Sequence, residues 1–205
     1  MALILTVIET RKGVIAKESL GALAVGRRVA SSRGATLYAV LLLPAYDQMQ
    51  QDLVVQLSAY RADRVILVTQ AAEPFCAETW IPALKEVIGR FHPTFLLFGA
   101  TRLAEELAPP LCVHLRGVYI PDGSIVTTPQ LKVDWFHPRS QSITEFFEED
   151  MESAFVVMVR SGVPDAPAPA AEIEVIPLQA PVSPGVEICE VSRRESAWGE
   201  DVCVV

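Results

Sequence analysis

Phe95-Leu-Leu-Phe-Gly-Ala-Thr-Arg-Leu-Ala-Glu-Glu-Leu-Ala-Pro-Pro-Leu-Cys-Val-His-Leu115 is the stretch on which the reading of this chain turns. An apolar run ends at Gly99, a turn of small residues follows, and a helical pattern begins beyond Thr101. Apolarity that is continuous rather than alternating marks a strand covered on both faces, as in a parallel sheet. Gly99 permits close backbone approach, Thr101 is suited to cap the helix, and the free amides of a helix start can receive an anion. In an open α/β sheet, ligands bind at this carboxyl edge of the strands. From physics alone the residues favour a plainer reading, an ordinary strand–cap–helix junction.

The same grammar recurs on either side. Ala2–Ile8, Ala35–Leu43, Arg64–Thr69 and Thr94–Phe98 are short apolar runs rich in β-forming residues. Helical patterns lie between them. Ser19–Arg33 sets Leu20, Leu23, Ala24, Arg27 and Val29 toward one face, with Gly34 as a stop. Gln48–Ala62 carries Leu53, Leu57 and Tyr60, while Ala77–Phe91 carries Ile81, Leu84, Val87, Ile88 and Phe91, with Pro93 beyond its end. Strands alternating with helices imply right-handed crossovers and an α/β fold built on a doubly wound, mainly parallel sheet.

From position 117 the pattern changes. Gly117–Ile120, Ile125–Thr128, Leu131–Phe136, Ile143–Phe147 and Ala154–Arg160 are short and split by turn signals such as Pro121-Asp122-Gly123 and His137-Pro138. This predicts a strand-rich end closing one sheet edge with hairpins or an antiparallel strand. Six of the 15 prolines fall between Pro164 and Pro184, so an extended arm is expected there, with one edge strand near Glu172–Leu178. Two apolar patches, Val186–Val191 and Val202–Val205, complete the tail. The division is a domain over 1–162 and an arm, with the start of a truncated second domain, over 163–205.

Composition narrows the function. Hydrophobic residues make up 51% of 205 and charged residues 20%, enough for a sizeable core. A net charge of −8 opposes binding to nucleic-acid phosphates, and no basic run offsets it. Met1–Ile8 is too short to span a membrane and lacks a basic segment ahead of it, so it reads as a buried strand and not as an anchor or a signal. Cys76, Cys112, Cys189 and Cys203 form no CxxC or Cys/His cluster and read as incidental thiols of a cytoplasmic protein.

Catalytic signatures are missing: there is no GxxxxGK[ST], GxGxxG, HExxH or GxSxG. His92, His114 and His137 are far apart, and His92 suits a helix end before Pro93. Glu145, Glu148, Glu149, Asp150 and Glu152 read as a solvated hairpin tip rather than a metal shell. No catalytic residue and no metal ligand is assigned.

The ordered motifs resemble the electron transfer flavoprotein family, in particular the N-terminal α/β domain of its α subunit. Gly99-Ala100-Thr101, Leu107-Ala108-Pro109 and Leu115-Arg116-Gly117 follow the family's strand–Gly-[Ala/Ser]-Thr–Leu-Ala-Pro–helix pattern. Glu9 and Lys12-Gly13 precede a helix near Ser19-Leu20, Ala62-Asp63-Arg64-Val65 is similar to the entry to the third strand, and Val156–Arg160 to the closing strand. There are departures. Asp134-Trp135-Phe136-His137-Pro138-Arg139 replaces the family's Arg-Pro before a Gly-rich turn, and Pro110 follows Pro109 where an arginine is usual. Glu200–Val205 is similar to the first strand of the family's second, FAD-holding domain, whose Gly-rich loop is missing.

The resemblance implies a Rossmann-like sheet of the adenine-nucleotide-hydrolase type and a non-enzymatic, scaffolding part in an electron-carrying complex. The expected partner is an electron transfer flavoprotein β subunit, with FAD held in the complex, by a separate FAD-domain chain or by the remainder of a longer subunit, and not by these residues alone. Two alternatives stand beside it. One is a ligand-free interaction module. The other is a nucleotide-binding module, because the family's β subunit holds a structural AMP in a comparable crevice. If a nucleotide binds, the candidate residues are Gly99, Ala100, Thr101 and Arg102, with Glu9 and Leu41–Leu43 on adjoining strand ends.

Overall fold

A computed structural model describes residues 2–11, 13–44, 50–70, 77–127, 131–136, 142–147, 154–160, 167–179, 192–195 and 201–204. Cys76, Cys189, His137, the acidic residues from Glu148 to Glu152 and the patch Val186–Val191 lie outside them. The strands are β1 (Leu3–Ile8), β2 (Thr10–Arg11), β3 (Val14–Ile15), β4 (Thr36–Pro44), β5 (Arg64–Gln70), β6 (Phe95–Gly99), β7 (Val118–Thr127), β8 (Leu131–Phe136), β9 (Ser142–Phe147), β10 (Phe155–Val159), β11 (Glu174–Gln179), β12 (Ser192–Glu195) and β13 (Asp201–Val204). The helices are α1 (Lys17–Arg33), α2 (Gln50–Ala59), α3 (Ala77–Phe91) and α4 (Arg102–Leu115).

Among the described residues nine strands form one sheet, in the order β11-β5-β4-β1-β6-β10-β7-β8-β9. The seven from β11 to β7 are parallel, and β8 and β9 continue the sheet antiparallel. This is the doubly wound, mainly parallel α/β sheet with a strand-rich end that the periodicity predicts. The continuous apolar runs have a direct cause, since both faces of the sheet are covered. Along β4, Leu37, Ala39, Leu41 and Leu43 join the core beneath α1 and α2, while Tyr38, Val40 and Leu42 join the core beneath α3 and α4. A strand with no wet face keeps no polar alternation, and each such Leu contributes about 1.5–3 kcal/mol through burial.

Local chemistry explains several boundaries. Gly34 ends α1 in the left-handed region at φ 59, its amide donating to the Ala30 carbonyl. α4 runs through Pro109 and Pro110 without a break. Each proline removes the bond to the carbonyl four residues back, here those of Glu105 and Glu106, which lie on the exposed face. Buried Ala104, Leu107, Ala108, Leu111 and Cys112 hold the opposite face down.

One expectation changes. Pro121-Asp122-Gly123 is not a turn between two strands, because β7 runs through it from Val118 to Thr127. The register of β10 against β7 shifts between Val157 and Val159, which absorbs the proline as a bulge. Arg160 fastens the irregularity, its amide donating to the Gly123 carbonyl at 3.3 Å and its guanidinium pairing with Asp122. The strand expected in the tail is present as β13, which pairs antiparallel with β12 in a small two-stranded sheet of its own.

The arm returns as an edge strand. β11 lies parallel to β5 with Pro177 opposite Leu67, and a proline without an amide is tolerated only on such an edge. Ala168 donates to the Ala59 carbonyl at 2.9 Å, Ala171 donates to Ser58 Oγ at 3.3 Å, and Arg64 pairs with Glu174 at 2.8 Å.

Asp63, between α2 and β5, ties three elements. Its Oδ2 accepts from the Leu37 amide at 2.8 Å and pairs with Arg27 of α1 at 2.7 Å, while its own amide donates to the Leu37 carbonyl at 2.9 Å. Asp63→Ala strands the Leu37 amide and a largely buried guanidinium. It is expected to lower unfolding free energy by about 1–3 kcal/mol in urea titrations; a loss within error would mean that water replaces the carboxylate.

Candidate functional site

The chain reverses its winding between β1 and β6. α1 leads from β1 to β4 and α2 from β4 to β5, and the next strands, β6 to β10, are laid down on the other side of β1. The carboxyl edge at this switch point is where a doubly wound sheet opens a crevice. Glu9 stands there just past β1, Gly99 ends β6, and Ala100 and Thr101 stand just past it.

Glu9 is 4% exposed. Its amide donates to Ser19 Oγ at 3.1 Å, its carbonyl accepts from the Ala16 amide at 2.9 Å, and the Thr101 hydroxyl is bonded to Glu9 Oε1. Thr101 is the N-cap of α4, its hydroxyl also accepting from the Ala104 amide at 3.1 Å. The carboxyl is therefore set against the first turn of α4 and beside the start of α1. Between its two backbone bonds the chain forms the short β2–β3 hairpin, with Thr10 opposite Ile15 and Arg11 opposite Val14. Burial raises the Glu9 carboxyl above its ordinary range and the nearby Glu18 adds to this, while the Thr101 hydrogen bond and the Arg11 charge act in the opposite direction.

Gly99 has a definite partner. A Cβ built on it would lie 2.4 Å from the Glu18 carbonyl carbon, 2.6 Å from its oxygen and 2.7 Å from the Ser19 nitrogen. The close approach that the sequence suggests is made by the backbone of α1, which presses on the end of β6.

Of the candidate residues, the fold gathers Glu9, Gly99 and Thr101. Ala100 is exposed beside them. Arg102 points outward at 92% side-chain exposure, near Glu106 at 3.9 Å. Leu41 is opposite Ile8 in register but fully buried in the core, as are Leu42 and Leu43. These residues do not fit a nucleotide phosphate: a carboxyl stands at the head of α4, the cap hydroxyl is engaged, and the glycine side is filled by α1. Ser19 was not singled out from the sequence beyond marking a helix start; a small polar residue on an otherwise apolar buried face is the signal that could have found it.

The other candidates are dispersed. His92 follows α3 at φ 46, and His114 is exposed in the last turn of α4. Cys112 is buried, its thiol donating to the Gly117 carbonyl at 3.2 Å and raised in pKa by that burial. Among the described residues no three His, Cys, Asp or Glu side chains group as metal ligands, and no helix is long and apolar enough to cross a membrane.

Two outcomes follow from the junction. Because the folded pKa of Glu9 is raised, its favourable contribution is complete below the unfolded value and is lost as pH climbs through the folded one. Glu9→Gln, which cannot ionise, should gain in melting temperature relative to the wild type as pH rises above the ordinary glutamate value of about 4.3; a difference that is flat or shrinks with pH counts against the buried acid. Gly99→Ala meets backbone that cannot rotate aside and should cost about 1–3 kcal/mol in denaturant titrations; an unchanged midpoint would contradict the close approach.

Comparisons with known proteins agree with this architecture. The electron transfer flavoprotein domain model matches residues 4–181. Similar curated proteins include the electron transfer flavoprotein subunit alpha of Thermoanaerobacterium thermosaccharolyticum, 26% identical over 108 residues, and that of Clostridium acetobutylicum, 28% identical over 108 residues. The acryloyl-CoA reductase electron transfer subunit beta of Anaerotignum propionicum is 26% identical over 109 residues. The matches cover 52%, 52% and 53% of this chain and 32%, 31% and 29% of those relatives, so they span about a third of the relatives' length. With 4–181 matched over a sheet of this order, the chain belongs to the electron transfer flavoprotein domain family.

Proposed function

We propose that this chain provides the N-terminal-type α/β scaffold of an electron transfer flavoprotein α subunit. It pairs with a β subunit and supports FAD-mediated electron transfer in a cytoplasmic complex, while the flavin itself is held outside residues 1–162. The reading rests on one observation. At the switch point, the edge where such a sheet would receive a ligand, Glu9, Ser19, Gly99 and Thr101 are spent on one another. An α/β domain that uses its ligand edge to hold its own elements together is suited to support and not to chemistry. Two of the relatives carry the name of the α subunit, which favours that subunit type.

The sheet also offers something to pair with. Helices pack on β1, β4, β5, β6, β7 and β10, while β8 and β9 extend the sheet antiparallel, with β9 its last strand among the described residues. A partner that lies along this extension can add area without disturbing the central core.

Co-expression with its cognate electron transfer flavoprotein β subunit is expected to yield a stable heterodimer on size exclusion with light scattering. The isolated chain should be colourless near 450 nm, with no FAD released on denaturation. Failure to associate at concentrations of about 10 μM would defeat the scaffold reading, and stoichiometric FAD on the isolated chain would defeat its flavin half.

A further inference from the structure

The switch-point edge is closed by the chain itself, and the closure has a chemical character. An anion bound at a helix start takes hydrogen bonds from main-chain amides and cap hydroxyls and gains from the positive end of the helix. The Glu9 carboxyl takes up the cap-hydroxyl part of that position here. It lies between the starts of two helices, with the Thr101 hydroxyl of α4 on one side and its own amide fastened to Ser19 of α1 on the other. We propose that Glu9 is an internal occupant of this crevice and the residue that excludes phosphate and nucleotides from it. The inference rests on the fold and the Glu9 contacts alone, so it stands whether or not the chain pairs with a β subunit.

Four observations support it. Glu9 is almost fully buried, so an incoming phosphate would have to expel it and cannot simply bind beside it. The backbone bonds from the Glu9 amide to Ser19 and from the Ala16 amide to the Glu9 carbonyl fix the residue from both sides, making expulsion costly. The Thr101 hydroxyl already bonds both the Glu9 carboxyl and the Ala104 amide, leaving it little capacity for another oxygen. The charged groups that face Glu9 are Arg11 from the hairpin and Glu18 from α1, one of each sign, so the surroundings offer no net positive charge in compensation.

The inference separates two consequences of one side chain. Closing a pocket with an acid both fills space and repels anions, whereas an apolar plug would only fill space. Shortening Glu9 should therefore free the Thr101 hydroxyl at the head of α4 and remove the carboxyl oxygens that an incoming anion would meet there. Gly99 remains filled by α1, so a small anion should enter more easily than a whole nucleotide.

The test titrates the full chain and its Glu9→Ala and Glu9→Ser variants with inorganic phosphate and with AMP, by calorimetry and by phosphorus NMR. Circular dichroism and melting curves establish that each variant is folded. The wild type should bind neither probe at about 1 mM. A folded variant should gain at least about tenfold in phosphate affinity, with a smaller gain for AMP. Glu9→Ser keeps a polar group at the site and serves if the alanine variant does not fold. Binding of either probe by the wild type at this concentration would overturn the proposal, and so would a folded variant with no gain for phosphate. If neither variant folds, the wild-type titration alone decides, because measurable binding to it is incompatible with an occupied crevice.

Discussion

At the carboxyl edge of the sheet two backbones come within contact, the end of β6 at Gly99 and the first turn of α1 at Glu18 and Ser19. That proximity makes the polar junction possible. Once α1 starts so close to β6, Ser19 can reach the amide of Glu9, and Glu9 in turn lies where Thr101 opens α4. One missing side chain thus sets the relation between β1, α1, β6 and α4, the four elements around which the winding reverses. A buried carboxyl is a costly means of joining them, since removing it from water opposes its ionised form. The cost is partly offset by the Thr101 hydroxyl and by the positive end of α4.

Away from this edge the sheet is held by less demanding chemistry. Strands with both faces covered need only apolar residues of suitable size, and the alternation of side chains between two cores follows from the pleat. The polar fasteners sit at the ends of strands. Asp63 ties the entry of β4 to α1, Arg64 joins the Tyr38 hydroxyl at 2.9 Å and Glu174 of the arm, and Arg160 clamps the irregular middle of β7. Arrangement of this kind concentrates specificity at the boundaries and leaves the centre tolerant of exchange among hydrophobic residues.

Much of this was legible in the residues. The central strands and α3 could be read because burial on both faces leaves a continuous apolar signal, and Gly34 and Thr101 mark helix ends by chemistry that acts locally. The edge strand of the arm was legible from its β-forming residues despite Pro177. Pro121-Asp122-Gly123 misled because its turn propensity is overridden by an arginine nearly forty positions away, a contact that no local window contains. The junction was half legible. Glu9, Gly99 and Thr101 could be named, but Gly99 carries the same signal whether a ligand or another part of the chain approaches it. Only the position of α1 distinguishes the two, and that depends on packing across distant segments. Ser19 and the burial of Leu41 were hidden for the same reason.

The arm has a geometric consequence of its own. β10 and β11 are consecutive in the chain, yet β6, β1, β4 and β5 stand between them in the sheet. Crossing five interstrand spacings covers about 24 Å. Because β10 and β11 are parallel, the chain must also return the length of a strand, about 17 Å. The connection from Arg160 to Ile173 has a contour of roughly 46 Å when fully extended, against a diagonal of about 29 Å from those two distances. The connection therefore has about 17 Å to spare, and its described end is tied down at Ala168 and Ala171. Removing about five residues would use up that length, and any further shortening would pull β11 off the edge of the sheet.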